Sequence, residues 1–205
     1  MIENSPIVRQ IGVFGGAFDP PHAAHVALAQ AAVAQLQLDE LRIIPTGQAW
    51  HKTRSLSPAI HRLAMVELAF AEVPRVIVDQ REILRSGPTY TVDTLRDLKT
   101  HWPQAELYLI IGEDQAHALP SWREWEEIVR LAIICVAERK NATGSKPGFV
   151  APVARESRFR KLYLPAMPIS ATDIRAQISA QERVVPLVFE AVARYIDQHH
   201  LYQTI

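Results

Sequence analysis

Apolar and polar residues fall in blocks along this chain. Short, mainly apolar runs at Ile11, Val13 and Phe14, then at 40–45, 76–79, 107–112, 133–136 and 161–165, suit strands buried on both faces of a sheet. Between them lie longer stretches with apolar residues at helical spacing: 26–38, 57–72, a segment begun near Thr91 and running through Leu95 and Leu98, and 186–200 with Val188, Val192 and Ile196. Strand, helix and strand in succession make βαβ units, so the strands should run parallel with right-handed crossovers. The spacing places His61 and Arg62 on the wet face of the 57–72 helix and makes Thr91 a helix cap. Pro20 and Pro21 read as the first turn of the helix that follows the opening strand, and another helix is predicted from Pro120, with Trp122 and Trp125 on neighbouring turns. Residues 138–158 mix Lys, Asn, Gly, Ser and Pro without a period and read as a surface excursion.

Size and composition narrow this picture. A chain of 205 residues suits one domain, 1–205, with one main core. Lys and Arg total 22 against 22 Asp and Glu, so no net basic field draws in nucleic acid, and a small-molecule partner is expected. The single cysteine, Cys135, lies in an apolar run and reads as a small core residue; it leaves no intrachain disulfide. No apolar segment is long enough to cross a bilayer, and the opening residues, with Glu3, Asn4 and Arg9, do not resemble a secretion signal, so the cytoplasm is the expected compartment.

The candidate chemistry gathers at Gly12-Val-Phe-Gly-Gly-Ala-Phe-Asp-Pro-Pro-His-Ala-Ala-His25, where a strand passes through paired glycines into a helix. Gly15 and Gly16 allow a ligand close to the backbone. His22 and His25 share one face near a helix N-terminus, whose N–H groups favour an anion such as phosphate. Two other readings stay open: glycines that only turn the chain with capping histidines, or a metal held by His22, His25, Asp19 and His51. The loop 46–54 places His51, Lys52 and Arg54 at the carboxyl end of the second strand, the edge where open α/β sheets bind ligands. At the end of the fourth strand Asp114 could accept a ribose hydroxyl or cap a helix. In Ile169-Ser-Ala-Thr-Asp-Ile-Arg175, Ser170 can cap a helix with Asp173 at N3, while Ser170, Thr172 and the Arg175 fork suit phosphate oxygens.

Gly15 to His25 together with Ile169 to Arg175 resembles the paired signatures of the nucleotidylyltransferase superfamily. Further stretches, Ile44-Pro-Thr-Gly-Gln with His51-Lys52, His61-Arg-Leu-Ala-Met65, Gly87-Pro-Thr-Tyr-Thr-Val-Asp-Thr-Leu95, Ile110-Ile-Gly-Glu-Asp114, Pro120-Ser-Trp122 and the closing segment from Tyr195 to Tyr202, resemble the bacterial nicotinate-nucleotide adenylyltransferases over nearly the whole chain. The resemblance implies a single α/β domain of Rossmann-like, doubly wound type, with a mainly parallel sheet, helices on both faces and a small C-terminal helical part. It implies transfer of the adenylyl group of ATP to nicotinate mononucleotide, giving nicotinate adenine dinucleotide and pyrophosphate, with Mg²⁺ arriving on ATP.

By the same resemblance, His22 and His25 contact phosphate, and Gly15, Gly16 and Phe18 form the loop beneath ATP. Ser170, Thr172 and Arg175 hold the triphosphate from the far side, Gly112 and Asp114 hold adenosine, and Thr91 and Trp122 grip the nicotinate ring. Lys52 belongs to a basic loop, and Arg139 matches a further nucleotide-side arginine. His25, His22, Arg175 and Lys52 are thereby the catalytic candidates. The family usually has glycine where this chain has Ala24, and Pro-Gly where it has Lys140-Asn141. Other readings are an adenylyltransferase for nicotinamide mononucleotide or phosphopantetheine, and a nucleotide-binding regulator without turnover. No nucleic-acid or membrane partner is implied, and self-association into a homo-oligomer is left open.

Overall fold

The computed structural model describes residues 9–47, 56–139, 153–165 and 167–203, without the side chains of 139 and 153–155. Six strands, β1 (Gln10–Gly16), β2 (Glu40–Pro45), β3 (Val76–Val78), β4 (Glu106–Gly112), β5 (Ala132–Arg139) and β6 (Phe159–Leu164), form one sheet in the order β3-β2-β1-β4-β5-β6. Every pairing is parallel. The chain builds outward from β1 through β2 to β3, then returns to the other side of β1 for β4. The order reverses between β1 and β4, and a crevice opens outside the carboxyl ends of the strands at such a reversal.

Neighbouring strand residues feed opposite layers. Tyr108, Ile110, Ile133 and Cys135 join a core with α1 (Ala23–Leu36), α2 (Ala59–Phe70), α7 (Ala171–Ser179) and α8 (Glu190–Gln198). Leu107, Leu109, Ile111, Ile134 and Val136 face the other way, onto α4 (Thr91–His101), α5 (Glu113–Ala118) and α6 (Trp125–Leu131). Coverage on both faces explains why these strands read as continuous apolar runs and not as alternating ones. The expected doubly wound α/β architecture is the one observed.

Several local expectations are corrected. Pro20 and Pro21 precede the first helix, whose N-cap is His22 in extended conformation. Thr91 is the first helical residue of α4, and Tyr90 is its N-cap. The helix expected from Pro120 is instead a 3-10 turn, Leu119–Ser121, and α6 begins only at Trp125, after Glu124 takes a left-handed φ of 51°. Trp122 therefore lies on the connection and shares no helix with Trp125. A four-residue helix, α3 (Arg81–Leu84), follows β3; it is too short to show a period in sequence. At its start, burial draws the Asp79 carboxyl upward, but hydrogen bonds from Arg81 and Arg42 outweigh it and hold the group below its ordinary value.

Arg62 is the largest departure. It is 1 % exposed on the inner side of α2, and its guanidinium donates to three main-chain carbonyls, Ser57 at 2.9 Å, Ala17 at 3.0 Å and Gly47 at 3.3 Å. His61 is half-buried, its Nδ1 3.0 Å from the Tyr195 hydroxyl on α8.

Candidate active site

Beyond β1 the chain turns through Gly15 and Gly16. A Cβ placed on Gly15 would meet nothing nearer than the Ile44 carbonyl at 3.9 Å, so its outer side is open to a ligand. Phe18 takes a left-handed φ of 48°, unusual for a residue other than glycine. Its ring is 2 % exposed and packs edge-on against Phe14, His25 and Phe70, with centroids 5.4, 5.0 and 6.2 Å away. The Phe18 side chain is thus part of the core beneath the turn, which leaves its main chain to face a ligand.

His22 and His25 meet, His22 as the extended N-cap and His25 in the first helical turn. Their rings stack with centroids 3.7 Å apart and planes 24° from parallel. The His22 main-chain N–H donates to His25 Nδ1 at 3.1 Å. A ring nitrogen that accepts cannot carry the proton, so the neutral His25 imidazole holds its hydrogen on Nε2, where it can be donated. The Ala23 N–H at the helix start is engaged by the Leu187 carbonyl at 2.8 Å, so the imidazoles supply more of the anion-binding capacity here than the sequence suggests.

The second signature comes to the same corner. Ser170 caps α7, accepting from the Asp173 N–H at 3.1 Å and donating to Asp173 Oδ2 at 2.6 Å. One turn on, Arg175 donates through Nη1 to the Asp19 carbonyl at 2.7 Å and through Nη2 to Thr172 Oγ1 at 3.2 Å. Asp19, 2 % exposed, accepts at Oδ1 from the Tyr202 hydroxyl at 2.5 Å and at Oδ2 from the Ser57 N–H at 3.2 Å. The Asp19 carboxylate is therefore directed to these two donors. Among the described residues no three His, Cys, Asp or Glu side chains converge as a cation-binding set.

Gly112 ends β4 and caps α5, with Asp114 exposed in the first turn at the carboxyl edge of the sheet. In the same layer, Trp122 is half-buried against the core of α4 to α6, and Thr91 opens α4. The Arg123 guanidinium lies 4.6 Å from the centre of the Tyr90 ring and 3.5 Å from Glu124, whose carboxylate also holds Arg96 at 2.5 Å. Sequence reasoning passed over Arg123, although its place beside Trp122 was a usable signal.

It also passed over Glu82. Burial pushes this carboxyl above its ordinary range, while the Thr94 hydroxyl donates to it at 2.7 Å. A Cβ on Gly47 would fall 2.1 Å from the Glu82 carbonyl, so only glycine allows the exit of β2 to pack there. Thr46 joins Thr89 at 3.0 Å, linking that exit to the start of α4. His51 and Lys52 lie outside the described residues. Arg139 pairs with Leu164 at the end of β5, and its side chain lies outside them.

The cytidylyltransferase-like family profile matches residues 13–177. A protein of Albidiferax ferrireducens named "Probable nicotinate-nucleotide adenylyltransferase" is 64 % identical over 197 residues, covering 96 % of this chain and 100 % of the relative. One of the same name from Methylibium petroleiphilum is 44 % identical, covering 97 % and 95 %. Among solved structures, Plasmodium falciparum nicotinic acid mononucleotide adenylyltransferase complexed with NaAD superposes with a TM-score of 0.73 at 20 % identity, covering 95 % of this chain and 97 % of the other, a likeness of fold.

Proposed function

This chain belongs to the nicotinate-nucleotide adenylyltransferases of the cytidylyltransferase-like family, and from that premise we infer the reaction its residues carry out. ATP gives its adenylyl group to nicotinate mononucleotide, forming nicotinate adenine dinucleotide and releasing pyrophosphate, a step of NAD biosynthesis. The observation that best supports the reading is the meeting of Arg175 with the turn that carries His22 and His25.

The nucleophile is a phosphate oxygen of the mononucleotide, already ionised, so no base is needed. It bonds to the α-phosphorus of ATP while the bond to the bridging oxygen breaks and its electron pair leaves on pyrophosphate. Holding the two substrates in line accounts for about 7–11 kcal/mol of barrier lowering. The His25 Nε2–H is our donor for the α-phosphate oxygen as charge builds, with His22, Lys52 and Arg175 on the β- and γ-phosphates. ATP enters as its Mg²⁺ complex, the cation held mainly by phosphate oxygens.

Gly15, Gly16 and the Phe18 main chain underlie the triphosphate, with Ser170 and Thr172 opposite. Gly112 and Asp114 take the adenosine, with Arg139 on the nucleotide side. Thr91 and Trp122 take the nicotinate ring, and the Arg123 charge beside them favours a carboxylate over a carboxamide. We assign the work to one domain in the cytoplasm; among the described residues no helix is long and apolar enough to cross a membrane.

Pyrophosphate release on mixing protein, ATP, Mg²⁺ and nicotinate mononucleotide tests the reading. Faster release with nicotinamide mononucleotide or phosphopantetheine at equal concentration would reassign the acceptor. ATP binding without release would make the chain a regulator.

A further inference from the structure

Arg62 is buried where an apolar side chain would be the simpler occupant. A guanidinium taken from water loses its hydration, and packing alone does not require one on the inner face of α2. What it does there is geometric. Its fork holds three carbonyls from two connections: Ala17 in the turn after β1, and Gly47 and Ser57 at the two ends of the segment that joins β2 to α2.

Beside it, Asp19 supplies the opposite charge and is itself fixed by the Tyr202 hydroxyl at 2.5 Å and the Ser57 N–H at 3.2 Å. Two buried charges and one phenol therefore join the turn after β1, α2 and the end of the chain. Because a trans peptide directs its C=O and N–H oppositely, a carbonyl of Ala17 drawn down onto Arg62 turns the Phe18 N–H to the other side of the turn, away from the guanidinium. The Asp19 carbonyl, two peptides on, is the acceptor for Arg175.

We propose that Arg62, with Asp19 and Tyr202, is a positioning residue for adenylyl transfer: it holds the Ala17 to Asp19 backbone so that the turn and Arg175 present a fixed surface to the ATP phosphates. The proposal rests on the reading above. It predicts that losing the fork weakens ATP binding and slows turnover while leaving the acceptor side alone.

The test uses the full chain. Arg62→Lys keeps a charge but not three directed donors, and Tyr202→Phe removes one hydroxyl. Affinity for ATP with Mg²⁺ is measured by calorimetry, and kcat with the KM of each substrate by pyrophosphate release. For Arg62→Lys the expected result is ATP affinity and kcat each about tenfold or more lower, with the mononucleotide KM within about twofold of wild type. Tyr202→Phe should lose about threefold or more on the same two quantities.

Unchanged ATP affinity and kcat in a folded Arg62→Lys would overturn the proposal, as would an equal rise in both KM values. If Arg62→Lys does not fold, Tyr202→Phe decides, and wild-type ATP affinity and kcat in that variant would overturn it. Should the wild-type protein release no pyrophosphate, the proposed reaction fails. ATP affinity then still judges the positioning role, a loss in the variants supporting it and no change overturning it.

Discussion

Arg175 donates to the main-chain carbonyl of Asp19 at 2.7 Å, across 156 residues of sequence. The bond fixes one arm of the guanidinium against the turn that carries His22 and His25, while its second terminal nitrogen reaches Thr172 at 3.2 Å. Arg175→Lys should lower kcat/KM for ATP by about 10²-fold, since an ammonium cannot both brace the turn and address phosphate. Steady-state kinetics at varied ATP, alongside a melting curve shifted by only a few degrees, checks this.

His25→Ala should lower kcat by about 10²–10³ with little change in fold, the usual result of removing one preorganised donor. His25→Asn gives a finer test. An amide can still donate but cannot reproduce the Nδ1 contact with the His22 N–H. It should therefore recover part of the lost rate at saturating substrates.

Trp122→Ala should raise KM for nicotinate mononucleotide far more than for ATP. Arg123→Ala should leave ATP kinetics near wild type and reduce the preference for nicotinate over nicotinamide mononucleotide by several-fold, about what one solvent-screened charge supplies. Competition between the two acceptors reads this directly. An unchanged ratio assigns the choice to groups other than Arg123.

Asp79 sets a pH dependence of stability. Its carboxyl is held below the ordinary value in the fold, so the stability it contributes is fully present above that value. That contribution is lost as the pH falls through the depressed native value. Asp79→Asn should cost about 1.5–3 kcal/mol at pH 7, as charged hydrogen bonds from Arg42 and Arg81 are lost. The gap between variant and wild type should narrow steadily below about pH 4. Urea titrations across that range measure it.

Cys135 is fully buried in β5, and desolvation pushes its thiol up to about 12. Thiolate is the reactive form, so alkylation at pH 8 should be negligible in the folded protein and complete in guanidinium chloride, as read by mass spectrometry.

The sequence carried what depends on neighbours along the chain. Expected and observed bounds agree for β2, the Ser170 cap with Asp173 at N3 is in place, and the expected histidine pair does meet, although through the capping geometry of His22 and not through helical spacing. It failed where distant segments decide. Sequence alone puts Arg62 in water because charged residues ordinarily lie there, and the carbonyls that make its burial tolerable come from turns that leave no periodic signature. Tyr202 and Asp19 stand 183 residues apart, and no local pattern could join them. Phe18 was expected beneath ATP, and only the backbone conformation separates its buried ring from its main chain. The start of α6 is not legible in sequence because Pro120 and Trp122 suit a helix entry as well as a tight turn.

The sheet also divides the labour between its two sides. Thr91 and Trp122, assigned to the acceptor, belong to the layer of α4 to α6, whereas His22, His25 and Arg175 belong to that of α1, α2, α7 and α8. A protein engineer seeking a different acceptor could thus recast α4 and the approach to α6 and leave the histidine and arginine side intact, provided Gly112 and Asp114 at the start of α5, which share the recast layer, keep their place.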